Sequence, residues 1–94
     1  MNERINELIP VFCDEIPAQL ENGKLYISEK FKISIHLCAC GCFEKSVTPF
    51  GGEGRWALSN NNGEVTLDPS IGNFRGENPY HAHYFIRNNK IDWC

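Results

Sequence analysis

Apolar and polar residues alternate with a period of two over much of this chain, the signature of half-buried strands. Lys24-Leu25-Tyr26-Ile27-Ser28 reads as one strand. Lys32-Ile33-Ser34-Ile35-His36-Leu37-Cys38 reads as the next, with Ile33, Ile35 and Leu37 on one face and His36 and Cys38 on the other. Lys45-Ser46-Val47-Thr48 follows, stopped by Pro49. Arg55-Trp56-Ala57-Leu58-Ser59 and Glu64-Val65-Thr66-Leu67 flank Asn60-Asn61-Asn62-Gly63, a strong hairpin signal. A second hairpin closes the chain, with Ala82-His83-Tyr84-Phe85-Ile86-Arg87 and Lys90-Ile91-Asp92-Trp93 joined at Asn88-Asn89. Only residues 1–9 carry helical spacing, at Ile5, Leu8 and Ile9, which predicts a short helix or a docked arm ended by Pro10. Residues 69–79, from Pro69 to Pro79, read as a long loop, and loops of that length are commonly functional. The prediction is one mostly β domain over residues 1–94, a compact antiparallel sheet or small barrel of six or seven short strands.

Size changes the picture. A domain of 94 residues buries only about 60–65% of the surface of its unfolded chain, so a staple would add much to its stability. The net charge of −3 argues against a nucleic-acid partner, which needs a basic face. No apolar run reaches the ~18 residues of a membrane span. Met1-Asn2-Glu3-Arg4 is not followed by the apolar core of a signal peptide, and the expectation is a cytoplasmic protein.

The five cysteines then become informative. An odd count suits a disulfide framework poorly, and a reducing compartment would not keep one oxidised. Cys38, Cys40 and Cys42 lie within His36-Leu37-Cys38-Ala39-Cys40-Gly41-Cys42, and alternate residues share a strand face. Gly41 lets the chain curl there around an ion. Thiolate and imidazole are the ligands that zinc takes tetrahedrally. His81-Ala82-His83 offers two further donors. The metal set read from the sequence is Cys38, Cys40, Cys42, His81 and His83, with Zn2+ as the ion. Buried core thiols and a redox pair are the other readings of the cysteines, although Cys-x-Cys is not the usual redox spacing. Cys13 reads as core and Cys94 as a terminal bystander.

Around such a metal, catalysis needs a base and a polar group for developing charge. Glu44, two residues beyond Cys42, is a candidate base, with an exposed strand residue as the plainer reading. Ser70, in Asp68-Pro69-Ser70-Ile71-Gly72, is a candidate nucleophile, although Asp and Ser also serve turns. His36 is the third catalytic candidate. A Ser–His pair with His83 or His36 is conceivable, but no spacing demands it.

The ordered motifs carry a resemblance. His36 to Cys42, Val47-Thr48-Pro49, Trp56-Ala57-Leu58, Val65 to Asn73 and His83-Tyr84-Phe85-Ile86 occur in that order. Over roughly residues 12–93 the chain resembles a small bacterial zinc-binding domain family encoded in operons with ubiquitin-like proteins. The resemblance implies a ubiquitin-like protein and its activating and conjugating enzymes as partners, in an antiphage or stress system. It also implies a peptidase that trims or removes the ubiquitin-like protein. The family usually has a cysteine where this chain has Tyr80, so His81 takes that ligand role or the metal keeps an open position. Two functions follow. One is a zinc-dependent peptidase, with Glu44 as base and residues 69–79 guiding the substrate tail. The other is a non-catalytic, zinc-stabilised adaptor of the same pathway.

Overall fold

The computed structural model describes residues 4–75 and 78–94, with side chains for all of these except 73–75 and 78–81. Eight strands form two four-stranded sheets. The first runs β1-β2-β3-β4, with β1 Ile9–Phe12, β2 Lys24–Ser28, β3 Ile33–Leu37 and β4 Lys45–Pro49. The second runs β5-β6-β7-β8, with β5 Ala57–Asn61, β6 Glu64–Arg75, β7 Asn78–Arg87 and β8 Lys90–Trp93. Every pairing is antiparallel except β1 with β2. Both predicted hairpins form, and Asn62, Gly63, Asn88 and Asn89 take the positive φ that tight two-residue turns require.

No helix forms among the described residues, so the helical reading of the first nine residues is corrected. A segment that short does not nucleate a helix by itself, and here turns of both sheets satisfy its backbone. Ile5 N–H donates to the Ala39 carbonyl at 2.7 Å, and Leu8 N–H to the Asn89 carbonyl at 2.7 Å. Ile9 N–H reaches the Gly23 carbonyl at 2.8 Å. Leu8 is buried whereas its neighbour Ile9 is exposed, the alternation of an extended chain. Pro10 lies inside β1, an edge strand, where a missing N–H is tolerated.

The long loop expected over residues 69–79 is also corrected. β6 continues to Arg75 and β7 starts at Asn78. Pro69 is accommodated because the β6–β7 ladder is interrupted there: Leu67 pairs with Ile86, but Ile71 pairs with Tyr84. Three residues of β6, Asp68, Pro69 and Ser70, thus face one residue of β7. Such a bulge needs no ladder bond from the proline and re-aims the side chains it carries. The Asp68–Pro69 peptide is cis.

One core joins the sheets. Leu25 and Ile27 of the first pack with Val65, Leu67, Ile71, Ala82, Tyr84, Ile86 and Ile91 of the second. The inward face of β3 carries Ser34 and His36, which pair with Ile27 and Leu25 across the ladder. The sequence pattern had Ile33, Ile35 and Leu37 as a separate apolar face; Ile33 and Ile35 are only half-buried. Ser34 bonds the Thr48 hydroxyl and His36 bonds Tyr84 through Nε2, whereas the buried His36 Nδ1 has no partner among the described residues.

Candidate active site and metal centre

Beyond Leu37 the chain leaves β3 and curls back to β4. Cys38 N–H donates to the Glu44 carbonyl at 2.8 Å, and Gly41 N–H to the Cys38 carbonyl at 3.1 Å. Gly41 has φ 92°, which a side chain would oppose, so the glycine permits the curl. The turn brings the Cys38, Cys40 and Cys42 sulfurs within 4.8 Å of one another. Cys38 is buried and the other two are half-buried. Thiolates bound to one tetrahedral zinc lie about 3.8 Å apart, given zinc–sulfur bonds of ~2.3 Å. The cluster can therefore hold a metal ion, and its soft ligands suit zinc. Among the described residues no fourth histidine, cysteine or carboxylate joins it. The His81 side chain lies outside the described residues.

His36 stands apart from the three sulfurs. It is fully buried, and its Nε2 lies 2.6 Å from the Tyr84 hydroxyl. Burial pushes its pKa down to about 4, so it is neutral at pH 7. The same Tyr84 oxygen accepts the Ala39 N–H at 3.3 Å. One hydroxyl thus ties β7 both to β3 and to the cysteine turn. The sequence pattern alone gave no role to Tyr84. Its signal was the apolar period of two through Ala82, Tyr84 and Ile86, which marks it as inward-facing.

Ser70 and His83 come together on the second sheet. The bulge of β6 carries Ser70, and β7 carries His83 one register step along. Ser70 Oγ lies 2.8 Å from His83 Nε2, and both residues are half-buried. This is the distance between a hydroxyl nucleophile and its general base. Glu44 is exposed, on the rim of a cleft of about 260 Å³ whose opposite wall includes Ile71 and Gly72. The structure therefore splits the predicted residues. The three cysteines form one cluster, Ser70 and His83 another, His36 is in the core and Glu44 is on the surface.

Residues 12–94 match the family of the bacterial ubiquitination-like system serine protease, BubE. The chain belongs to the BubE family. The expected link to ubiquitin-like operons is borne out, and the BubE description names a serine protease. No curated protein and no solved structure matches the chain. No helix among the described residues is long and apolar enough to cross a membrane.

Proposed function

We propose that this BubE family member is a serine peptidase that trims or removes a ubiquitin-like protein, with Ser70 as nucleophile and His83 as base. The hydrogen bond of 2.8 Å between Ser70 Oγ and His83 Nε2 carries the reading, and the family description supports it. His83 takes the Ser70 proton as Oγ attacks the scissile carbonyl, then returns it to the leaving amine. An acyl-enzyme on Ser70 remains. Water, deprotonated by His83, attacks the ester; the ubiquitin-like protein leaves with a new C-terminal carboxylate, and His83 returns the proton to Ser70 Oγ. On this reading neither a metal nor Glu44 takes part in the chemistry.

Cys38, Cys40 and Cys42, with His81 as the fourth ligand, would hold a structural zinc. What the ion supplies is folding free energy, up to ~10–16 kcal/mol in small zinc-finger peptides. His83 is left to the serine. The setting is the bacterial cytoplasm, where thiols stay reduced, and the pathway serves antiphage or stress defence.

The test is incubation with the ubiquitin-like precursor encoded beside the protein. The wild type should release the tail, and Ser70→Ala should slow release at least ~10³-fold while keeping the melting temperature. Full activity of Ser70→Ala would overturn the assignment. A folded, metal-loaded wild type that leaves the precursor intact would favour the adaptor.

A further inference from the structure

Two strand edges that pair with no strand among the described residues face one cleft near Ser70. The cleft lies between β4 and β6 and is lined by residues 44–48, Trp56, Ile71 and Gly72. β4 is the last strand of its sheet. Its hydrogen-bonding phase follows from its two ends: Cys38 N–H donates to the Glu44 carbonyl, and Phe50 N–H to the Lys32 carbonyl. In an antiparallel pair every second residue exchanges bonds with the partner, so residues 46 and 48 bond to β3 with 44 and 50. Lys45 and Val47 then turn their N–H and C=O groups outward. The Pro49 carbonyl has the same phase, and it does point outward, accepting the Trp56 N–H at 2.9 Å.

β6 contributes the second edge. Cys94 N–H donates to the His83 carbonyl at 3.0 Å, so the backbone of His83 faces β8. Gly72, the ladder partner of His83, therefore turns its own N–H and C=O away from β7. On that side β5 ends its pairing with Ala57 opposite Asp68, and among the described residues no strand pairs there with Gly72. Gly72 also lines the cleft and follows the nucleophile by two residues.

We infer that this cleft receives the polypeptide substrate as an extended strand, hydrogen-bonded by Lys45 and Val47 on one side and by Gly72 on the other. The inference rests on the serine-peptidase reading for which bond is cut, but the docking has its own readout. The cleft volume of about 260 Å³ is below the ~300–1,000 Å³ of small-molecule pockets, as a narrow extended segment needs. Main-chain bonds supply affinity in strand addition, and alternate side chains supply specificity. The half-buried ring of Trp56 forms an apolar wall for one such side chain. A strand held by Gly72 runs past Ser70, so its carbonyl groups approach the nucleophile in order. A folded domain cannot enter; a flexible terminal tail can.

The test uses the Ser70→Ala chain with a synthetic peptide of the precursor's C-terminal tail at millimolar concentration, read by amide hydrogen exchange. The amides of Lys45, Val47 and Gly72 should exchange at least tenfold more slowly with peptide than without. Unchanged exchange at all three would overturn the inference. Hydrolysis of p-nitrophenyl acetate by the wild type, lost in Ser70→Ala, reports the serine chemistry separately. Protected amides without that hydrolysis would sink the peptidase reading and leave the docking intact. In the wild-type background, Val47→Pro removes an N–H that β3 does not use. It should raise the KM for the precursor at least tenfold, and an unchanged KM would overturn the inference. Ester-for-amide replacement along the peptide supplies the same comparison without altering the protein. Losses at alternate positions are expected, and a flat profile would overturn strand docking.

Discussion

At the scale of single residues, Tyr84 and His36 form the bond on which the site's geometry rests. The tyrosine ring packs edge-on against Trp93, with centroids 5.1 Å apart, while its hydroxyl meets His36 and the Ala39 N–H. Tyr84→Phe keeps the ring and strips the hydroxyl, leaving the Ala39 N–H without its acceptor. Unpaired buried groups cost about 1–3 kcal/mol, and a domain this size loses about 4–8 °C of melting temperature per kcal/mol. Thermal denaturation should show a fall of at least ~5 °C, and an unchanged midpoint would mean that the hydroxyl is dispensable. At this scale the sequence was only partly legible. The period of two put His36 on the same face as Cys38, which made it a catalytic candidate beside the metal. Burial and the Tyr84 hydroxyl, contributed by a strand 48 residues away, set its actual surroundings. Nothing local to residue 36 reveals that partner.

At the scale of elements, the cysteine turn and the bulged hairpin keep the three sulfurs apart from the Ser70–His83 pair. The turn was legible, because three cysteines around a glycine leave few other arrangements. The Ser70–His83 pair was nearly so. Arg75 pairs with Asn78, and counting back from that pair in an unbulged hairpin sets Ser70 directly across from His83. Pro69 and Gly72 hid this, since both residues break strands in sequence reasoning and here sit in or beside a bulge. The separation makes a prediction. If the proposed zinc is structural, a strong chelator, or Cys40→Ser, should lower the melting temperature by at least ~10 °C, because such an ion contributes folding free energy. Below the lowered midpoint, ester hydrolysis by Ser70 should persist. Immediate loss of hydrolysis while the chain remains folded would return the metal to the reaction.

At the scale of the molecule, the first residues hold the sheets together. Arg4 stacks over Trp93, Ile5 bonds the cysteine turn, and the backbone of Glu7 pairs with that of Lys90 before the chain enters β1 of the other sheet. Leu8, 1% exposed, inserts into the shared core. This strap precedes residue 12, where the family match begins. Leu8→Ala should cost about 2–5 kcal/mol in chemical denaturation. A loss below ~1 kcal/mol would show that the two sheets hold together without it. The sequence showed the apolar spacing of this segment but not its conformation, because extended and helical states of nine residues differ only through what they dock against.

The three-against-one bulge implies that scaffold and chemistry are separable. Excising Pro69 and Ser70 together would leave Asp68 opposite Phe85, with Leu67 and Ile71 still paired to Ile86 and Tyr84 and still facing inward. The shortened chain would pair without interruption from Leu67 to Asn73 and lack the proposed nucleophile. In effect, the proposed nucleophile sits on a two-residue insertion that this stretch of the sheet does not need for its pairing.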